Sequence, residues 1–321
     1  MTARSPVSRT RLPGAPDPMY TWPGADGMVI AGDAWGPLDG PLVILQHGGG
    51  QTRHAWKGAG QRLGEAGYRA VALDARGHGD SSWSPTGSYD QADMVADLVA
   101  VIDALGGRRP VLVGASMGGG VGLHACGEDL VDATALVLVD IAPRIEPGGA
   151  ERIMDFMGQA PDGFESLEEV ADAIAGYQPH RPRPRQLDGL AKNVRLGESG
   201  RYYWHWDPAF MSGKRDLEQR TAHLEACARR LTLPTLLVRG GLSDLLSTEG
   251  AQSFLDMCPH AEFVNVTDAA HMVAGDRNDI FSDSVIDFLG RVVPVDGEPA
   301  HRPHTIRPHR EGPGGSIADI P

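Results

Sequence analysis

The stretch PVLVGASMGGGVGLHAC, residues Pro110–Cys126, joins a short apolar run to a Gly-rich segment. Pro110–Val113 has the pattern of a buried strand and Met117–Cys126 that of a helix, so G-x-S-x-G lies at a strand-to-helix turn. At such a turn Ser116 takes strained backbone angles, and its hydroxyl projects beside the free N–H groups of the helix N-terminus. The pattern therefore predicts a serine nucleophile at Ser116. A chance match at a small-residue turn is the alternative.

Two further side chains that such a nucleophile needs come after predicted strands. A serine hydroxyl is a poor nucleophile until a base takes its proton, and His271, in DAAHM, is placed to be that base. Asp244, in RGGLSDLL after the strand Thr235–Val238, is placed to orient the imidazole. The order Ser, Asp, His along the chain favours this assignment. Asp140, which ends LVLVD, is the rival acid, and Asp268 is too close to the histidine along the chain to be favoured.

A third part of the predicted site is the segment His47–Gly50, which reads HGGG directly after PLVILQ. Glycines let the backbone approach a substrate and aim N–H groups at the oxyanion of a tetrahedral intermediate. The N–H groups of Met117 and Gly49 are the predicted oxyanion hole. A Gly-rich connection between a strand and a helix is the plainer interpretation, and His47 is expected to brace the loop rather than to catalyse.

Apolar runs alternate with amphipathic stretches through most of the chain. The runs without polar alternation predict strands buried on both faces: Pro41–Gln46, Ala70–Leu73, Pro110–Val113, Ala135–Val139, Thr235–Val238 and Glu262–Val266. The amphipathic stretches predict helices: Trp56–Ala66, Gln91–Leu105, Met117–Cys126, Glu249–Cys258 and Asp279–Leu289. This alternation is typical of βαβ units and predicts an α/β fold with a parallel, doubly wound sheet.

The domain organisation follows from where this alternation fails. The predicted core comprises residues 21–142 and 231–292, and residues 143–230 form an inserted helical cap with aromatic residues in YYWHW. In that cap Trp204 and Trp206 are candidate substrate-binding residues, although they could equally be the core of the cap itself. Residues 1–20 and 293–321 are predicted to be flexible tails because they are rich in Pro, Gly, Arg and His. A solvated tail explains the histidines near the C-terminus better than a metal site does, so no metal is predicted.

The charge and cysteine content of the chain limit the classes of binding partner that it is expected to have. The 321-residue chain has a formal net charge of −13, which argues against nucleic-acid binding because such proteins usually carry a basic patch. Its three cysteines show no metal-ligand spacing and are explained as free thiols in a reducing compartment. No apolar run approaches the ~20 residues of a membrane span, and the first residues lack the apolar core of a secretory signal. The chain is predicted to be cytoplasmic, with a small-molecule substrate and neither nucleic acid nor membrane as partner; the oligomeric state is left open.

The motifs together resemble the α/β-hydrolase superfamily. Five features occur in the order of that family: HGGG at His47–Gly50, DARGHGDS at Asp74–Ser81, GASMGGG at Gly114–Gly120, the predicted acid Asp244 and the predicted base His271. The sequence is most similar to its lid-bearing esterase, cofactor-free peroxidase and epoxide-hydrolase branches. The resemblance implies a mostly parallel eight-stranded sheet flanked by helices, a helical cap over the strand ends, and no cofactor. It also implies that the DARGHGDS stretch is mainly a structural turn. Epoxide hydrolases use an aspartate at the elbow, so Ser116 disfavours epoxide opening.

The predicted function is that of a serine hydrolase, which cleaves a small-molecule carboxylic ester or lactone through an acyl-enzyme intermediate. A perhydrolase of the cofactor-free haloperoxidase type, or a carbon–carbon bond hydrolase, would use the same triad and stays an alternative. A ligand-binding protein that has lost turnover on the same scaffold is less favoured, because the triad and the oxyanion loop are both intact in the sequence. The acyl group and the stereochemistry are not determined by the sequence.

Overall fold

The computed structural model describes residues 9–184, 186–213, 216–276, 278–295 and 319–320. The strands are β1 (Arg9–Arg11), β2 (Tyr20–Pro23), β3 (Val29–Trp35), β4 (Leu42–Gln46), β5 (Arg69–Leu73), β6 (Val111–Ala115), β7 (Ala135–Val139), β8 (Val194–Gly197), β9 (Tyr202–Trp204), β10 (Thr235–Gly240), β11 (Glu262–Val266) and β12 (Asp319–Ile320). The helices are α1 (Lys57–Glu65), α2 (Gln91–Ala104), α3 (Met117–Gly127), α4 (Pro147–Met157), α5 (Leu167–Tyr177), α6 (Leu217–Arg230), α7 (Thr248–Met257), α8 (Val273–Asp276) and α9 (Asn278–Val292).

Eight of these strands form the central sheet, and the two residues of β12 extend it beside β11. The order across the sheet is β12-β11-β10-β7-β6-β4-β5-β3-β2. Neighbours from β5 to β11 are parallel, whereas β2 and β3 run antiparallel at one edge. Every residue of β4 and β7 is buried, which explains why their sequences do not alternate. The predicted mostly parallel eight-stranded sheet flanked by helices is therefore confirmed.

Helices cover both faces of this sheet. Alternate residues of β4 belong to different cores: Ile44 lies in the cluster that includes residues of α2, α3, α6 and α7, and Leu45 in the cluster that includes residues of α1 and α9. This two-sided burial follows from the period of two in a strand. It leaves the carboxyl ends of the parallel strands as the edge where loops and side chains can form a site. No helix of the described residues is long and apolar enough to span a bilayer.

The inserted segment differs from the predicted helical cap over residues 143–230. It contains α4 and α5, but also the antiparallel pair β8–β9, and its last helix belongs to the core. Helix α6 packs so closely on α3 that a Cβ added to Gly127 would lie 2.3 Å from the Cβ of Cys227. The cap therefore ends before α6, and it is a mixed rather than a purely helical layer.

The N-terminal segment also differs from its prediction. Residues 1–20 are expected to be flexible, yet β1 pairs with β8 of the cap in antiparallel register, and Arg9 lies over the ring of Tyr203 at 4.2 Å. Residues 1–8, 296–318 and 321 of the two predicted tails lie outside the described part of the chain. Strand β1 is thus an addition to the cap, made by a pairing that local sequence does not signal, while Tyr20 already belongs to β2 of the central sheet.

Asp80 connects the three parts of the molecule. Its carboxylate lies 3.0 Å from Arg11 of the N-terminal strand, 2.8 Å from Arg53 of the core and 2.9 Å from Arg195 of the cap. Arg53 itself is fully buried and also contacts Asp74 at 2.6 Å. Because buried charges are stable only when paired, this network fixes the cap and the N-terminal strand to the loop that follows β5.

Candidate active site

Ser116 occupies a sharp turn between β6 and α3. Its backbone angles are φ 47° and ψ −111°, a conformation that costs energy for any residue with a Cβ. Glycines on either side make the turn possible. A Cβ on Gly114 would lie 2.4 Å from the backbone of Gly118, and a Cβ on Gly118 would lie 2.5 Å from the carbonyl oxygen of Gln46. The predicted elbow geometry is therefore present at Ser116.

His271 is held by a buried carboxylate. Its Nδ1 lies 2.7 Å from Oδ2 of Asp140, which follows β7 and is completely buried. Asp140 also accepts hydrogen bonds from the N–H of Gly240 at 2.9 Å and from the hydroxyl of Ser243 at 2.5 Å. With Nδ1 donating to the carboxylate, Nε2 carries the lone pair and can accept a proton.

The prediction that Asp244 orients His271 is wrong in this geometry, and the rival Asp140 takes the position. The carboxylate of Asp244 pairs instead with Arg152 of α4, and 42% of its side chain is exposed. The reason lies in the turn after β10. Ser243 in this turn donates to Asp140, whereas the next residue, Asp244, points outward to Arg152 of the cap. A signal was present in the sequence: Asp140 follows an unbroken buried strand, whereas Asp244 comes four residues after β10 ends.

Backbone N–H groups around Ser116 separate into two sets. Gly48 donates to Gln51, Gly50 to Nε2 of His78 at 3.2 Å, and Gly118 to the carbonyl of His47 at 3.2 Å; these three N–H groups are satisfied. Within the described part of the chain, the N–H groups of Gly49 and Met117 have no such acceptor. These are the two donors that the sequence predicts for the oxyanion hole, and they remain available to a ligand.

Two buried histidines brace the HGGG loop. Nε2 of His47 accepts from the N–H of Ala75 at 3.0 Å, so its Nδ1 donates to the carbonyl of Gly48 at 2.7 Å. His78 accepts from Gly50 and so joins the same loop to DARGHGDS. Burial lowers the pKa of His47 below its ordinary value, which keeps it neutral, as an acceptor must be. Both side chains hold the loop in place, and neither lines the cavity that contains Ser116.

Ser116 and His271 line one cavity of about 350 Å³ beneath the cap. One wall is aromatic: Phe156, Trp204 and Trp206 all line it, and the two indoles stack with ring centroids 4.9 Å apart. Both indoles are at least 94% buried, and Trp204 also packs against Phe164 within the cap. The two candidate substrate-binding tryptophans therefore face the cavity and form part of the cap core at once.

Burial near this cavity lowers the pKa of further histidines. Burial, followed by the charge of Arg53, lowers the pKa of His54 to about 4. Burial, followed by the neighbouring His78, lowers the pKa of His205 well below its ordinary value. In the unfolded chain such groups gain protons as the pH falls through about 6.5, while in the folded chain they stay neutral. The contribution of these histidines to stability is therefore fully present above about pH 6.5 and is lost progressively below it.

We expect His54→Gln to weaken this pH dependence. Each histidine with a lowered pKa contributes up to about 1.4 kcal/mol per pH unit to the loss of the free energy of unfolding. Urea unfolding at pH 7, 6 and 5 measures that slope. Between pH 6 and 5 the variant should show a slope smaller by about 1 kcal/mol per unit, and the exposed His260→Gln serves as the matched control. Equal slopes for wild type and His54→Gln would contradict the prediction.

Away from the cavity, a second group of side chains has the composition of a metal site. Ligand atoms of His124, Glu128 and His223 lie within 4.8 Å of one another between α3 and α6. These residues do not line the cavity that contains Ser116. The predicted absence of a metal thus stays a prediction, and the arrangement around Ser116 needs none of these three residues.

Comparison with known proteins places this geometry in a family. The model of the alpha/beta hydrolase family matches residues 42–283. The chain belongs to the α/β-hydrolase family. It is 30% identical over 251 residues to the esterase Rv0045c of Mycobacterium tuberculosis, covering 76% of this chain and 80% of that protein. It is 28% identical to the 3-hydroxybutyrate-oligomer hydrolase of Cupriavidus necator, covering 74% of this chain and 85% of that protein.

Solved structures agree with this assignment at the level of the fold. The crystal structure of E-2-(acetamidomethylene)succinate hydrolase superposes with a TM-score of 0.74 at 22% identity, covering 84% of this chain and 98% of that one. The named relatives of this α/β-hydrolase are esterases and hydrolases, which supports hydrolase activity for the chain.

Proposed function

We propose that this α/β-hydrolase cleaves a small-molecule carboxylic ester or lactone through Ser116, His271 and Asp140. The observation that carries the proposal is the 2.7 Å hydrogen bond between His271 and the buried Asp140, formed beside the cavity that Ser116 lines. A nucleophile on a strained turn and an imidazole whose Nδ1 is held by a fixed carboxylate together meet the needs of acyl transfer.

In the proposed first half-reaction, Oγ of Ser116 attacks the substrate carbonyl carbon while Nε2 of His271 takes the hydroxyl proton. The negative charge that develops on the carbonyl oxygen is stabilised by the N–H groups of Gly49 and Met117 and by the N-terminus of α3. When the intermediate collapses, the ester C–O bond breaks and the leaving alcohol takes the proton from His271. An acyl group remains on Ser116.

In the second half-reaction, water attacks the acyl carbon and gives a proton to His271, which returns it to Oγ of Ser116 as the acid leaves. Asp140 keeps the ring of His271 oriented and stabilises the imidazolium that forms in both steps. The cap limits access of bulk water, and Trp204 and Trp206 give an apolar surface for the acyl or alcohol group.

The first test is covalent labelling of the nucleophile. Wild type and Ser116→Ala are each incubated with a fluorophosphonate and with the smaller phenylmethanesulfonyl fluoride, and intact masses are recorded. We expect one adduct per wild-type chain and none on the variant, since only an activated serine reacts readily. Failure of both reagents to label folded wild type would contradict the proposal. Labelled protein then justifies a screen of esters and lactones, with peracid formation and dione cleavage as further readouts.

A further inference from the structure

Lys192 is a cation inside the candidate active-site cavity. It ends a 3-10 turn of the cap, Asp188–Lys192, and lines the same cavity as Ser116 and His271. Its side chain forms no ion pair or hydrogen bond with another residue in the described ranges. Burial, followed by the like charge of Lys57, lowers the pKa of this ammonium. Such a group gains free energy when an anion binds beside it.

The rest of the described lining carries no negatively charged side chain. The described side chains around the cavity include two cations, Lys192 and Arg181, together with the amides of Gln178 and Asn193. Among these described lining residues there is no Asp or Glu. The whole chain has 42 acidic against 29 basic residues, so a described lining that contains Lys192 and no acidic side chain contrasts with the rest of the molecule. A site of this charge attracts and retains anions.

A nearby carboxylate is already engaged. Asp33 lies 3.8 Å from Nδ1 of His54, which also lines the cavity. However, Asp33 pairs with the buried Arg53 at 3.1 Å and accepts a hydrogen bond from the N–H of Met19 at 3.0 Å. Its charge is thus used within the core network, which leaves Lys192 without a fixed counter-ion in the described structure.

We propose that Lys192 binds a carboxylate group of the substrate, so that the preferred esters carry an anionic group away from the scissile carbonyl. This inference rests on the proposed function, because it assigns a substrate class to the same cavity. The cap supplies Lys192 and the core supplies Ser116, so the carboxylate is held at the cap side while the ester carbonyl reaches the nucleophile. Gln178 and Asn193 offer further hydrogen-bond donors on that side.

Paired substrates test the proposal. 4-Nitrophenyl butyrate and the mono-4-nitrophenyl ester of glutaric acid differ by a terminal carboxylate, and kcat/KM is measured for both at low ionic strength. In Lys192→Gln we expect kcat/KM for the anionic ester to fall by about tenfold or more, as expected for loss of a charged hydrogen bond. The neutral ester should change by less than about twofold, because it has no anionic group that could pair with Lys192. Lys57→Gln, which removes a nearby cation outside the cavity lining, is the matched control.

A binding measurement separates this inference from the proposed catalysis. Titration calorimetry of glutarate into Ser116→Ala, with and without Lys192→Gln, needs no turnover. We expect glutarate to bind and the second substitution to weaken binding by about tenfold. Unchanged glutarate binding, or an equal loss of activity on both esters in Lys192→Gln, would overturn the anionic subsite. Lys192-dependent binding without hydrolysis of any ester would support the subsite and reject the proposed function.

Discussion

Asp140→Asn is expected to lower kcat for ester hydrolysis by about 10³–10⁴-fold, the effect of losing the carboxylate of a Ser-His-Asp triad. An amide at this position carries no negative charge. When its NH2 group faces Nδ1 of His271, it also cannot accept the hydrogen bond from that nitrogen. The imidazole then loses the partner that fixes its tautomer and stabilises its protonated form. Asp244→Asn removes only the exposed ion pair with Arg152, and we expect a change of less than about threefold, since such pairs are worth little.

The two variants are compared by kcat on one ester and by the rate of fluorophosphonate labelling. Circular dichroism and urea unfolding serve as controls, because Asp140 also accepts hydrogen bonds from Gly240 and Ser243. A large loss in Asp244→Asn with none in Asp140→Asn would return the acid role to the residue predicted from sequence order. Equal and small losses in both would reject a triad.

Arg53→Met is expected to lower the free energy of unfolding by about 3–5 kcal/mol, the effect of removing one partner from a buried ion pair. The Arg53 side chain is completely buried and contacts Asp33, Asp74 and Asp80 at 2.6–3.1 Å. Without the guanidinium, three carboxylates remain close together with too few cations. Arg53 therefore stabilises the fold mainly by screening the repulsion among these three carboxylates.

Urea unfolding of Arg53→Met at pH 7 measures this loss. The matched control is Arg109→Met, which removes an ion pair with Asp132 whose two side chains are 61% and 74% exposed. That control should change the free energy of unfolding by no more than about 1 kcal/mol. A similar small change in Arg53→Met would show that the carboxylate cluster tolerates the loss of its central cation.

Local patterns in the sequence predict the core well. Strands β4, β6 and β7 are continuous apolar runs, and the elbow around Ser116 has glycines at the two positions where a Cβ would collide. His271, the proposed base, also follows strand β11. These features depend on neighbours within a few residues, so short-range periodicity and turn chemistry were sufficient to predict them.

Features that depend on distant residues were not predictable in the same way. Strand β3 contains Gly32 and Asp33, and both residue types are uncommon in strands. Gly32 is nevertheless required here, because an added Cβ would lie 2.6 Å from the carbonyl oxygen of Ala72 on the neighbouring strand. Asp140 and Asp244 both follow strands, and the packing of the turn after β10, more than the distance of each acid from its strand, decides which one meets His271. The β1–β8 pairing likewise joins segments without a common local signal.

The pairing of β1 with β8 also bears on how the chain is made. Thr10 and Leu196 are hydrogen-bonded partners 186 positions apart, so ribosomal synthesis exposes the first strand long before its partner exists. At about 5–20 residues per second, the wait is on the order of 10–40 s. Closing so long a loop is slow compared with local folding. Strand β1 therefore stays unpaired until β4–β7 have been synthesised, and β10 and β11 of the central sheet follow its partner along the chain.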